Sequence, residues 1–296
     1  MYFQSSINFS MPQAACDCHT HVFGPASQFP FSEHRAYTPG DASVQELLEL
    51  HQQLGIARVV IVQPSPYGTD NSCTVAGLHA FNQLGHEARG VAVIDEHTST
   101  KTLDELHAAG VRGVRLNFET GGVQDPVNAA QRLIATSAQI AHLGWHIQLY
   151  TSLAVVASLE QAILKLPVPV VLDHFAGAQA SLGIDHPHFA ILLKLVQNGK
   201  AWVKLSAPHR ISNQPEYEDA APLAQALIAA NPNRMLWGSD WPHPGPKPGT
   251  QRRIDKIEAF NQIDDGAALN RLHEWLRNTE LMKKILVKNA ANLYQF

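Results

Sequence analysis

The sequence predicts an α/β protein, a single-domain (β/α)8 TIM barrel with C-terminal helices packed over it. Three observations carry this reading. Eight short β-branched or apolar runs recur along the chain, and a helix-patterned segment falls between each pair. The 296 residues also match one barrel plus a terminal extension. Strict alternation of this kind requires parallel strands joined by crossovers. An open doubly wound sheet is the competing arrangement, but no Gly-rich phosphate loop follows the first run.

The strands are expected at Ala15–Val22, Arg58–Gln63, Gly90–Ile94, Gly113–Phe118, His146–Tyr150, Val168–Asp173, Ala201–Leu205 and Met235–Trp237. The intervening helices are expected at Val44–Leu54, Thr74–Leu84, Thr102–Ala109, Val127–His142, Leu153–Leu164, Phe189–Gln197 and Ala221–Ala230. Pro242–Arg252, rich in Pro and Gly, reads as a long loop, and 255–296 as terminal helices. The opening MYFQSS resembles the scar of a cleavable expression tag. Residues 1–10 are therefore expected to be a disordered N-terminus ahead of a barrel domain over 11–296.

Composition narrows the function. Hydrophobic residues make up 45% and charged residues 16%, and the net charge is −4 with histidine neutral. No Lys/Arg-rich run is present, which argues against nucleic acid and anionic membranes as partners. No apolar run reaches the ~18 residues of a membrane span, and no secretory signal pattern is visible. Cys16, Cys18 and Cys73 are an odd set in a strand-like context, so a reducing, cytoplasmic setting is expected. The sixteen histidines are the unusual count, because imidazole titrates near neutral pH and ligates metals.

In such a barrel the chemistry sits at the C-terminal strand ends, and alternation decides which side chains face inward. His19 and His21, in DCHTHVFG, share a face and suit a metal chelate or a paired electrophile. The plainer alternative is two polar residues at a loop entrance. Arg115 and Asn117 share a parity in GVRGVRLNF. An inward guanidinium needs an anion, so Arg115 is a candidate for carboxylate recognition, while Arg112 reads as structural. Tyr150 ends the fifth strand and could donate to substrate or be an ordinary rim tyrosine. His174 closes the sixth strand beside Asp173, which could orient a neighbour. Lys204 and Ser206 share a face of the seventh, and Arg210 follows in its loop. Asp240 ends the eighth strand as a candidate general base, with His243 in the loop above it.

Together DCHTHVFGP, QPSPYGTDN, GVRGVRLNF, VVLDHF and WGSDWPHP, in this order and spacing from about Ala14 onward, resemble the amidohydrolase superfamily. The nearest resemblance is to the branch of 2-pyrone-4,6-dicarboxylate hydrolase, a lactonase. It implies that His19, His21 and His174 surround the substrate carbonyl oxygen and that Asp240 takes a proton from water. Arg115, Tyr150 and Arg210 would hold carboxylates, with His243, Asn117 and Ser65 as further substrate contacts. Many members of the superfamily bind divalent metals, but this branch is associated with metal-free catalysis. Tyr150 stands where a ligating histidine would be expected, and His146 lies about 13 Å down the strand. No cofactor is therefore expected. The alternative is one divalent metal such as zinc on His19, His21, His174 and Asp240. One departure stands out: no arginine lies between His174 and Gly183, so one carboxylate contact is missing or comes from elsewhere.

The expected activity is hydrolysis of a small carboxylated lactone, an attack on a carboxylic ester bond. A lactone isomerase with Asp240 as proton shuttle, a metal-dependent lactonase or decarboxylase, and a non-catalytic binding protein are the rivals. Homo-oligomer formation is left open.

Overall fold

A computed structural model describes residues 4–122, 125–247 and 249–296. Eight parallel strands form one sheet: β1 (Cys16–Thr20), β2 (Arg58–Val62), β3 (Glu87–Ala92), β4 (Val111–Asn117), β5 (His146–Tyr150), β6 (Val170–Leu172), β7 (Ala201–Ser206) and β8 (Met235–Gly238). Each pairs with the next in chain order. The β8–β1 seam closes just past the strand end. Asp240 N donates to His19 O at 2.8 Å, and His21 N donates to Trp241 O at 2.8 Å. The Asp17 carboxylate fills the gap below, its Oδ1 accepting from Ser239 N at 2.9 Å and His19 N at 3.1 Å. The closed barrel replaces the open-sheet alternative.

Helices α1 (Val44–Leu54), α2 (Ser72–Gln83), α3 (Thr100–Ala108), α4 (Pro126–Ile140), α5 (Leu153–Ser158), α6 (Glu160–Lys165), α7 (Pro187–Gln197) and α8 (Ala220–Ala230) form the outer layer. Their ends follow sequence chemistry. Ser43 and Glu46 form a capping box on α1, and Gly55 closes it in the left-handed region, φ 71°. The expected helix over 153–164 breaks at Leu159 into α5 and α6. The third strand begins at Glu87 rather than Gly90 because Glu87, Ala88 and Arg89 pair with Arg58, Val59 and Val60. Neighbouring backbone overrides their weak strand preference.

Two apolar layers result. Val59, Ile61, Val170, Leu172 and Val203 pack outward on the helices. Cys16, Cys18, Val60, Val62, Val91, Val171, Trp202 and Leu236 fill the barrel interior, with Leu293 and Tyr294 of the C-terminal helix Asn289–Tyr294 packed against them. The interior is thus packed, and open space remains at the C-terminal rim. Helix α9 (Asp265–Leu276) carries the N-terminal segment. Residues 4–10, expected to be disordered, are fastened there. Ser5 N and Oγ donate to Asp264 at 2.9 and 2.6 Å, Asn8 N donates to Asn270, and Phe9 stacks on His273. No helix among the described residues is long and apolar enough to cross a membrane.

Candidate active site

Strand alternation places most of the site without further help. Gly113, Arg115 and Asn117 on β4, Gln148 and Tyr150 on β5, and Lys204 and Ser206 on β7 follow the inward parity of their strands. Two positions break that rule. Cys16 and Cys18 already face inward, so a regular β1 would turn His19 outward. The β1–β2 register shifts between Asp17 and Thr20, and His19 and His21 are both buried at the rim. On β6, Val171 and Asp173 share the inward parity. His174 joins them because the strand ends at Leu172 and His174 takes φ +48°. Asp240 keeps the inward parity of Leu236 and Gly238, with φ +69° just past the strand end.

At the centre, Asp240 Oδ1 lies 3.6 Å from His19 Nε2, 3.7 Å from His21 Nε2 and 3.7 Å from His174 Nε2. None of these is a hydrogen bond, and both Oδ1 and His19 Nε2 are buried without a partner. Oδ2 is occupied, accepting from Arg210 Nε at 2.9 Å and Nη2 at 2.6 Å. Burial alone would raise the Asp240 carboxyl pKa. The Arg210 cation and the surrounding imidazoles outweigh it and hold the group well below the usual carboxylate range. Burial lowers His21 and His174, and takes His19 down to about 4, so the three rings are neutral near pH 7.

The hydrogen-bond partners of each ring decide what it offers. His21 Nδ1 lies 2.7 Å from the Val62 carbonyl, which can only accept, so Nδ1 carries the proton and Nε2 presents a lone pair. His19 Nδ1 lies 3.2 Å from Lys204 Nζ. The same nitrogen lies 3.2 Å from Asp173 Oδ1, which can only accept, so Nδ1 stands between a donor and an acceptor and its partners are compatible with a proton on either ring nitrogen. His174 Nδ1 meets the Ser206 hydroxyl at 2.9 Å, a partner compatible with either form. The expectation that all three imidazoles donate to one oxygen therefore needs revision: neutral His21 faces the site as an acceptor.

Beneath lies a buried polar layer that the sequence reading largely missed. Lys204 Nζ donates to Gln148 Oε1 at 2.7 Å and stands 3.5 Å from Asp173 Oδ1. Asp173 Oδ2 accepts from Arg115 Nη2 at 3.2 Å and Gln148 Nε2 at 3.1 Å. Burial opposes the Asp173 charge, but His19, Lys204 and Arg115 hold its carboxyl well below the usual range. Lysine and aspartate at strand positions 204 and 173 were the only signal for this layer.

Above Asp240 opens a cavity of about 360 Å³, lined among others by His21, Ser65, Arg115, Asn117, Tyr150 and His174. Arg115 Nε is buried and unpartnered, as a waiting anion contact would be. Tyr150 is edge-on to His174 and lies under both Arg115 and Arg210. Three expectations shift. Arg210 lines the cavity, but its Nε and Nη2 hold Asp240 rather than waiting for a carboxylate. His243 does not line it; its Nε2 faces Asp265 Oδ2 at 3.1 Å and its backbone N binds Asp240 O at 2.7 Å. His146 sits at the opposite end of the barrel, edge-on to Tyr294. Tyr37, Glu119 and Arg252 line the cavity without having been anticipated.

As a divalent-metal site, the cluster fits only in part. His19, His21 and Asp240 bring ligand atoms within 4.8 Å of one another, and so do His19, Asp173 and His174. The second ring nitrogen of a metal-bound histidine usually donates to a carbonyl or carboxylate. His21 meets this requirement through Val62. For His19 the carboxylate is Asp173, whose Oδ1 lies 3.2 Å from Nδ1, but the Lys204 ammonium competes for the same nitrogen at the same distance.

The similarities agree with this geometry. A 2-pyrone-4,6-dicarboxylate hydrolase from Comamonas testosteroni is 36% identical over 300 residues, covering 98% of this chain and 93% of the relative. A 4-sulfomuconolactone hydrolase from Hydrogenophaga intermedia is 33% identical over 291 residues, covering 97% and 91%. The apo crystal structure of an Agrobacterium tumefaciens protein superposes with a TM-score of 0.82 at 25% identity, covering 98% of this chain and 99% of that one. A family model described as Amidohydrolase matches residues 16–296. From the paired histidines of β1 to the aspartate that closes β8, this chain belongs to the amidohydrolase family.

Proposed function

We propose that the protein hydrolyses a small carboxylated lactone, adding water to the carbonyl carbon and opening the ring. One observation carries this reading: an ionised carboxylate oxygen and three imidazole Nε2 atoms converge within 3.7 Å at the wall of an arginine-lined cavity. The names of the two relatives, hydrolases of a pyrone dicarboxylate and of a sulfomuconolactone, support the same substrate class.

Asp240 Oδ1 and the lone pair of His21 Nε2 are two acceptors facing one volume. They orient an attacking water by its two hydrogens, and Asp240 takes the proton. The carbonyl oxygen gains negative charge as the C–O bond to water forms. His19 and His174 each donate to it when their proton is on Nε2, the form that the Lys204 contact favours for His19. Each such donor is typically worth about 3–4 kcal/mol. The tetrahedral carbon then expels the ring oxygen, which takes the proton back from Asp240. One water is consumed and one new carboxylate appears. Arg115, with its free buried Nε, holds a substrate acid group and fixes the carbonyl over Asp240.

Metal-free catalysis is part of the proposal, supported by the Lys204 cation 3.2 Å from His19 Nδ1, which opposes a second cation on that ring. A divalent ion, if bound, would sit on His21, Asp240 and neutral His19 with its proton on Nδ1, and would supply Lewis-acid polarisation of the carbonyl. A cytoplasmic setting fits three buried, free cysteines.

The test is product analysis in heavy-oxygen water with a panel of carboxylated lactones. Hydrolysis places one solvent oxygen in the new carboxylate. Turnover without incorporation would replace this reading with isomerisation, for which Asp240 would shuttle a proton between substrate atoms.

A further inference from the structure

Arg252 stands outside the barrel, on the loop after β8, yet it lines the reaction cavity. Three contacts fix it. Its Cζ lies 4.1 Å over the Tyr37 ring, its Nη2 is 3.2 Å from Glu258 Oε1, and its loop leads into Ile257–Glu258, which pairs with Thr38–Pro39. Tyr37 and Ser65 line the same cavity. The guanidinium is therefore held flat and oriented, while its Nε is buried without a hydrogen-bond partner. A buried donor left without a partner is destabilising, so the arrangement is at its best only with an acceptor present.

The other cations of the cavity are spoken for differently. Arg210 spends Nε and Nη2 on Asp240. Arg115 shares Nη2 with Asp173 below and keeps Nε free, close to the reacting groups. Arg252 shows the same division, with one nitrogen on a carboxylate and another waiting, but from the loop side of the cavity. A planar fork clamped in this way suits a planar carboxylate rather than a diffuse negative charge.

We propose that Arg252 is a specificity-determining residue, the anchor for a second acid group of the substrate, distinct from the one Arg115 holds. This rests on the lactone reading of the site. Selectivity then arises outside the catalytic cluster. A two-acid lactone fills both forks, whereas a one-acid analogue leaves Arg252 Nε unsatisfied.

The experiment compares wild type, Arg252→Ala and Arg252→Lys on a two-acid lactone and its one-acid analogue. In parallel, calorimetry measures binding of isophthalate and benzoate, which needs no turnover. The expected result is a drop of roughly tenfold or more in the two-acid over one-acid ratio of kcat/KM for Arg252→Ala, expressed mainly in KM. Isophthalate binding should weaken with little change for benzoate, and lysine should not restore either. An unchanged ratio together with unchanged isophthalate binding would overturn the assignment. Full recovery in Arg252→Lys would overturn the planar-fork argument. If no lactone is turned over but isophthalate binding still depends on Arg252, the lactone reading fails while the anchor stands.

Discussion

Arg210 grips Asp240 by one oxygen only. Its Nε and Nη2 lie 2.9 and 2.6 Å from Oδ2, while Oδ1 remains 3.6–3.7 Å from three imidazole nitrogens. One oxygen fixes the group and the other does the chemistry. Asp240→Asn keeps the shape and removes the base. Turnover should fall by about 10²–10⁴-fold while ligand binding persists, and the melting temperature should drop because Arg210 keeps an acceptor but loses its counter-charge. Steady-state kinetics beside calorimetric binding checks this. Near-full activity in Asp240→Asn would remove the residue from its role as base.

Lys204 is fully buried and shared among His19, Gln148 and Asp173. Lys204→Met should destabilise the fold by about 3–5 kcal/mol, because it removes a cation facing the Asp173 carboxylate. The double variant with Asp173→Asn should recover part of that loss. Urea unfolding of the two single variants and the double variant measures the coupling. Additive losses would mean that the two groups do not support each other.

Gly238 allows β8 to lie against β1. A Cβ there would fall 2.6 Å from His19 Cβ and 2.7 Å from His19 N. Gly238→Ala should push His19 off the reacting carbonyl and cost on the order of 10² in kcat, with stability down by about 1–3 kcal/mol. Kinetics with a matched thermal melt separates the two effects. Unchanged kcat would show that the seam relaxes elsewhere.

Stability should fall on the acid side of neutrality. Burial pushes His146 down to about 3 and His19 down to about 4, so the folded chain refuses protons that the unfolded chain accepts below the ordinary value of 6.5. The penalty is absent above that value. It grows by about 1.4 kcal/mol per pH unit per refused proton and saturates below the folded values. Asp173 and Asp240, both lowered, act in the same direction, and their stabilisation is lost as pH falls through those lowered values. Urea midpoints should be flat near pH 7–8 and drop steadily from pH 6 to 4. Rising stability over that interval would contradict neutral buried imidazoles.

Metal content separates the two chemistries. Purified protein should retain its turnover after exhaustive chelation, with less than about 0.1 equivalent of zinc by elemental analysis, because the Lys204 cation 3.2 Å from His19 Nδ1 opposes a second cation on that ring. Stoichiometric metal whose removal abolishes activity would make His19, His21 and Asp240 ligands.

Much of this was legible in the chain. The barrel followed from eight apolar runs separated by helical patterns. The bounds of β5 and α1 follow from strand alternation at His146–Tyr150 and from a capping serine ahead of Val44. Arg115, Asn117 and Tyr150 face the cavity because period-two alternation holds along undistorted strands. His19 and His174 face inward through a register shift and a left-handed backbone, neither of which a period of two can foresee. His243 was assigned from its nearness to Asp240 in sequence, but the loop turns it toward Asp265.

Residue types and their spacing therefore determined the barrel, the family resemblance and the imidazole–carboxylate cluster, because these depend on local periodicity and on groups chemically suited to one task. Which oxygen of Asp240 is free, which groups meet at His19 Nδ1, and how Arg252 reaches the cavity were decided only by the closed tertiary structure. Each depends on contacts between residues tens to hundreds of positions apart, and a hydrogen bond has no partner until the fold brings one within about 3 Å.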